Sequence, residues 1–269
     1  MPIFFDTHAH LGGDEFVEDL GDVVRRATEA GISTIITVGT HLEGSHRAIR
    51  IAEQFPNIYA AVGWHPTDLA TAPEDVRPGL RPLLGHPKVV AIGEIGLDFY
   101  RLPKQTPENA AELSRVKERQ VQVFVQQLEL AAEFGLNCVV HARSAVDEAL
   151  ALIKPFEGRT QCVFHCFSEG PESLKNVLAS GSMTSYTGVI TYKKTEAIRQ
   201  SVAAVPSDRF MLETDCPFLS PVPHRGTRCE PAMVSVTAQA VAAIRGVSID
   251  ELSIQTCENA RRFFKKLRG

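Results

Sequence analysis

Eight short β-rich runs alternate with helical stretches along nearly the whole chain, and this alternation constrains the fold more than any other feature. The runs are "IFFDTHAH", "STIITVG", "IYAAVGWH", "VVAIGEIG", "NCVVHA", "QCVFHCF", "SMTSYTG" and "RFMLETD". Between them lie stretches such as "FVEDLGDVVRRATEAG" and "VKERQVQVFVQQLELAAEFG", whose apolar residues recur at helical spacing. A strand followed by a helix returns the chain to the same end of the sheet, so repeated units build parallel strands. Eight units in 269 residues predict an α/β fold, a (β/α)8 TIM barrel forming a single domain over residues 1–269. A doubly wound open sheet is the competing architecture, because strand count alone does not close a barrel.

Both architectures gather ligands at the C-terminal ends of their strands. Strand one ends in His8 and His10, strand three in His65, strand four in Glu94, strand five in His141, strand six in His165 and strand eight in Asp215. Each has an ordinary explanation when taken singly. A histidine inside "CVFHCF" suits a core, a glutamate suits an ion pair, and an aspartate before Cys216-Pro217 suits a turn. Side chains of one chemical type at the same end of successive strands converge, and unpaired buried polar groups are costly, so they must meet partners or cations. Asp6 shares a strand face with His8 and His10 by simple alternation and is read as a supporting residue. His41 is expected at the mouth, His46 and His86 on the surface, and His224 near an anionic ligand.

Mixed imidazole and carboxylate donors suit Zn²⁺ or Mn²⁺, whereas Mg²⁺ prefers oxygen ligands. Four histidines and two carboxylates exceed what one catalytic ion takes while keeping an open position. The set predicts two ions: His8, His10 and Asp215 on one, His141 and His165 on the other, with Glu94 as the bridge. Paired ions activate a water and clamp the oxygens of a displacement, and Asp215 is placed to orient that water. Ser168 in "HCFSEG" is read as the cap of the next helix.

A net charge of −4 argues against a broad basic surface for duplex DNA but leaves room for a local patch. Arg143, Arg225 and Arg228 are the candidate phosphate contacts, and Phe99 and Tyr100 are either base-stacking residues or loop anchors. "DFYRLPKQTPENAAELS" reads as a long polar connection after strand four. Absence of a long apolar run and of a signal-like leader, with six cysteines and no CxxC pair, points to a cytoplasmic protein with reduced thiols and no membrane partner. A monomer is the default for a self-contained barrel.

"DTHAHL", "GWHP", "IGEIGLDFY", "HAR", "HCFSEG", "LETDCPFLSP" and "RGTRCEP", in that order, resemble the TatD-type metal-dependent deoxyribonucleases. The resemblance implies a TIM barrel and metal-dependent hydrolysis of phosphodiester bonds in DNA, as a 3′→5′ exonuclease favouring single strands. It assigns the metal ligands to His8, His10, Glu94, His141, His165 and Asp215, and implies that Mg²⁺ also supports turnover. His65 becomes a contact for phosphate or water, which completes a catalytic set of Glu94, Asp215 and His65. Gly12, Ser144 and Cys229 depart from the family pattern without touching a ligand position, and bear on substrate preference. The rival is a binuclear amidohydrolase or lactonase cutting C–N or C–O bonds of a small molecule. Many such relatives bridge their ions with a modified lysine on strand four, where this chain has Glu94, its Lys88 standing at the opposite end.

Overall fold

Each β-rich run forms a strand in the computed structural model, which describes residues 2–267. The first half of the chain runs β1 (Phe4–Ala9), α1 (Leu20–Glu29), β2 (Ile32–Val38), α2 (Leu42–Gln54), β3 (Ile58–Val62), α3 (Arg77–Leu80), β4 (Val89–Asp98) and α4 (Ala110–Phe134). The second half runs β5 (Asn137–Arg143), α5 (Val146–Ile153), β6 (Cys162–Phe164), α6 (Pro171–Ala179), β7 (Met183–Tyr186), α7 (Glu196–Ala204), β8 (Phe210–Leu212), α8 (Val234–Arg245) and α9 (Ile249–Phe263). The strands pair in parallel, in chain order from β1 to β8.

Closure comes between the last residues of β1 and the segment just beyond β8. Asp215 N–H donates to His8 O at 2.9 Å and His10 N–H to Cys216 O at 2.8 Å, which brackets a parallel bridge between Ala9 and Cys216. The open-sheet alternative is thereby excluded. An inner cluster takes a side chain from every strand, including Phe5, Ile36, Ala61, Val139, Val163 and Met211, and ends on Phe263 and Phe264 at the end of α9. The barrel is a packed core and not a pore.

Buried strands explain the near-continuous apolar runs, since helices cover the outside and side chains fill the inside. β4 is buried along its whole length and runs four residues beyond Glu94, so Glu94 lies within the strand and not at its end. The connection after it is correspondingly shorter than the polar stretch suggests, spanning residues 99–109 before α4 begins. Gly96 in β4 has φ +137°, and a Cβ there would stand 2.0 Å from His141 O. Only glycine lets β4 and β5 approach this closely at the level of His141.

Two glutamines of α4 fasten strand ends to the helix. Gln127 accepts from Trp64 N–H at 2.7 Å and donates to Trp64 O at 3.0 Å. Two turns earlier on the same face, Gln120 accepts from Asp98 N–H at 2.9 Å and donates to Asp98 O at 3.2 Å. Both side chains are buried, and they pair backbone groups just where β3 and β4 leave the ladder.

Candidate metal centre

The strands deliver His8, His10, His65, Glu94, His141, His165 and Asp215 to one point at the C-terminal mouth. Glu94 sits at the middle and is buried. Its Oε1 lies 2.7 Å from His165 Nε2, 2.8 Å from His141 Nδ1 and 3.2 Å from His65 Nε2. Its Oε2 lies 3.3 Å from His8 Nε2 and 3.5 Å from His10 Nε2. Asp215 Oδ1 closes the second group, 3.2 Å from His10 Nε2 and 3.7 Å from His8 Nε2. One carboxylate therefore faces two imidazole clusters with its two oxygens.

Asp6 does not join them. The β1–β2 register shifts between Asp6 and Ala9, which breaks the alternation expected to set Asp6 on the face of His8 and His10. Its carboxyl turns to Thr214, at 2.9 Å from the backbone nitrogen and 2.6 Å from the hydroxyl. It thus supports the segment that carries Asp215.

The donor set fits divalent cations. Ligands held at ~2.1 Å around a tetrahedral ion stand roughly 3.4 Å apart, close to the 3.2 Å between the Nε2 atoms of His8 and His10. His8 Nδ1 is buried without a partner, so Nε2 carries the polar role of that ring. Burial opposes ionisation of Glu94, yet His165, His65, His8 and His141 outweigh it and hold its carboxyl well below the usual range. Burial likewise opposes ionisation of Asp215, and His10 and His8 reverse it. Both carboxylates are therefore charged at neutral pH, as cation ligands must be.

Two further carboxylates stand behind the rings. Asp98 Oδ2 lies 3.2 Å from His141 Nε2. Glu213 Oε1 lies 3.5 Å from His165 Nδ1 and accepts from Cys166 N–H at 2.6 Å. Neither is among the strand-end candidates, although Asp98 lies four residues from Glu94 and Glu213 two from Asp215, at strand spacing. Ser168 is exposed and does not cap α6, whose N-cap is Gly170.

A cavity of about 780 Å³ opens above the centre. His41 and Arg143 line it, as do Arg47 of α2 and Arg101 after β4, neither of which is among the arginines the sequence singles out. The Arg143 guanidinium lies 3.9 Å from the centre of the exposed Tyr100 ring, while Phe99 packs partly buried against the core. Arg225 and Arg228 do not reach the cavity wall. Arg225 stacks over Tyr192 at 4.1 Å. Arg228 is held at the rim by Asp19 at 2.7 Å, Glu230 at 2.8 Å and the carbonyl of Glu15. His224 is exposed and likewise away from the cavity.

A (β/α)8 barrel with this imidazole and carboxylate cluster at its mouth is the framework of a metal-dependent hydrolase. The model of the TatD related DNase family matches residues 5–265, and the chain belongs to that family. It is 35% identical to the uncharacterized metal-dependent hydrolase YabD of Bacillus subtilis, over 98% of this chain and 99% of that one. It is 36% identical to the 3′-5′ ssDNA/RNA exonuclease TatD of Erwinia amylovora, over 97% and 99% of the two chains. The crystal structure of YjjV, a TatD homologue from Escherichia coli K12, superposes with a TM-score of 0.88 at 28% identity, covering 97% of this chain and 98% of that one.

Proposed function

We propose that this hydrolase is a two-metal 3′→5′ exonuclease acting on single-stranded DNA. The observation that carries the reading is Glu94, whose two oxygens face two separate groups of imidazoles. His8, His10 and Asp215 would hold one ion, His141 and His165 the other, and Glu94 would bridge them. His65, close to Glu94 Oε1, stands beside the second group. Bound divalent ions supply a water of lowered pKa and neutralise charge on the phosphate oxygens. Asp215 Oδ1 faces the histidines, leaving Oδ2 to accept a hydrogen bond from the attacking water and hold it in line. His65 Nδ1 lies 2.7 Å from Thr67 Oγ1, which fixes the ring so that Nε2 points at the centre. Arg101 and Arg143 at the cavity wall supply charge for the phosphodiester backbone.

A single-stranded substrate is supported by relatives named for ssDNA/RNA exonuclease activity. We place the enzyme in the cytoplasm as a monomer, with Mn²⁺, Zn²⁺ or Mg²⁺ as cofactor. Among the described residues no single helix is long and apolar enough to cross a membrane. The amidohydrolase reading gains nothing from strand four: Lys88 Nζ donates to the carbonyls of Phe55, Pro56 and Ile58 at 3.0, 3.0 and 2.8 Å.

The test is metal-depleted protein given 3′-labelled and 5′-labelled single-stranded oligonucleotides, with each cation restored in turn, beside Glu94→Ala. Metal-dependent release of nucleotides from the 3′ end, absent in the variant, is the expected result. No release with any cation would overturn the reading.

A further inference from the structure

The mouth cavity is divided by polarity. Its arginines come from the α2 side and the β4–β5 side: Arg47, Arg101 and Arg143. The opposite wall, built by the segments after β7 and β8, contributes Val189, Pro217, Phe218 and Leu219 and no lysine or arginine. In a closed ring of eight strands in chain order, β8 lies diametrically across from β4. A ligand spanning the mouth thus meets cations at one end, the metal centre below, and an apolar wall at the other end.

Phe218 dominates that wall. It is 56% exposed, and its ring stands 6.2 Å from the His10 ring, edge-on to it. Phe218 N–H donates to Asp215 O at 3.1 Å, so the turn that carries a candidate metal ligand also sets the position of the aromatic ring. A single exposed apolar side chain is ordinary on a protein surface. This one is fixed beside the reaction centre and continuous with Leu219 and Val189, which makes it a face for a flat apolar group. Aromatic rings bind single strands by stacking on bases, whatever the base.

We propose that Phe218, with Leu219 and Val189 behind it, is the stacking face for the base of the 3′-terminal nucleotide, while Arg101 and Arg143 hold the backbone on the far side of the scissile phosphate. The proposal rests on the exonuclease reading and adds the subsite that fixes the end of the strand. A base must leave its partner to lie on Phe218, so the same face favours unpaired ends.

The experiment compares two single-stranded DNA oligonucleotides, one with an ordinary 3′-terminal nucleotide and one whose 3′-terminal sugar carries no base. The unmodified protein is expected to prefer the base-bearing end by roughly 5- to 100-fold in kcat/KM. Phe218→Ala loses this preference, its rate on the base-bearing end falling toward that on the abasic end, and Phe218→Tyr restores it. Metal content of each variant, measured by elemental analysis, separates loss of stacking from loss of ions. Equal rates on the two ends by the unmodified protein, a comparison that needs no variant, would overturn the stacking face and leave the exonuclease standing. Release from neither end would overturn both.

Discussion

Asp98 Oδ2 stands 3.2 Å from His141 Nε2, on the opposite side of the ring from Glu94, which lies 2.8 Å from Nδ1. The imidazole is held between two carboxylates, so its plane is set before any ion arrives. Asp98 Oδ1 also accepts from Arg101 N–H at 3.0 Å, which ties a cavity-wall arginine to the same support. Carboxylates placed behind a histidine in this way orient it and raise its basicity as a ligand.

Asp98→Asn should therefore weaken divalent-cation affinity by roughly 10- to 100-fold while leaving the fold unchanged. Calorimetric titration of the metal-depleted protein with Mn²⁺ or Zn²⁺ measures this. An unchanged affinity would show that His141 needs no such support.

The arginines divide into two kinds. Arg143 borders the cavity, so Arg143→Ala should raise KM for an oligonucleotide and reduce the salt slope of binding by about one. Arg228 is bound to Asp19 and Glu230 and does not line the cavity. Arg228→Ala should leave KM unaltered and lower Tm by roughly 2–4 °C, the shift expected for the loss of about 1 kcal/mol in a chain of this size. Equal effects of the two substitutions on KM would refute the distinction.

The barrel and the converging side chains were readable because buried parallel strands are apolar throughout, which makes a polar strand end conspicuous. Glu94, His141 and His165 stand out on that ground. Asp98 did not, because β4 was expected to stop earlier. Yet Glu94, Gly96 and Asp98 alternate with Ile95 and Leu97, the period of a strand that continues. The Asp6 alternation failed for the opposite reason: the register shift in β1 depends on pairing with β2. Arg228 was misread because its partner Asp19 is distant in sequence, although Glu230 stood two residues away.

Burial raises the pKa of Asp6 from 3.8 to about 8, against the hydrogen bonds from Thr214. Between these values the folded metal-free protein keeps a proton that the unfolded chain has released. Its stability therefore falls as pH rises through this window, with the full loss present above about 8. Asp6→Asn, which mimics the protonated carboxyl, should gain in Tm relative to the parent as pH increases from 3.8 to about 8. A gap that does not change with pH would refute the raised pKa.

Gln120 pairs both backbone groups of Asp98. Gln120→Leu leaves a buried N–H and a buried C=O unpaired and should cost about 2–4 kcal/mol in urea unfolding. Gln122 is exposed on the same helix, and Gln122→Ala should stay within about 0.5 kcal/mol of the parent. A Gln120 variant as stable as the Gln122 variant would show that water or a shifted backbone replaces the clamp.

Joining His8 to Asp215 through the closing hydrogen bond between β1 and the segment after β8 has a consequence in time. During synthesis, His8 and His10 emerge from the ribosome long before Asp215, an interval of roughly 10–40 s at ~5–20 residues per second. Throughout that interval the group of His8, His10 and Asp215 is incomplete, so a nascent or prematurely terminated chain carries most of the clustered histidines without the carboxylate that completes this half of the proposed centre.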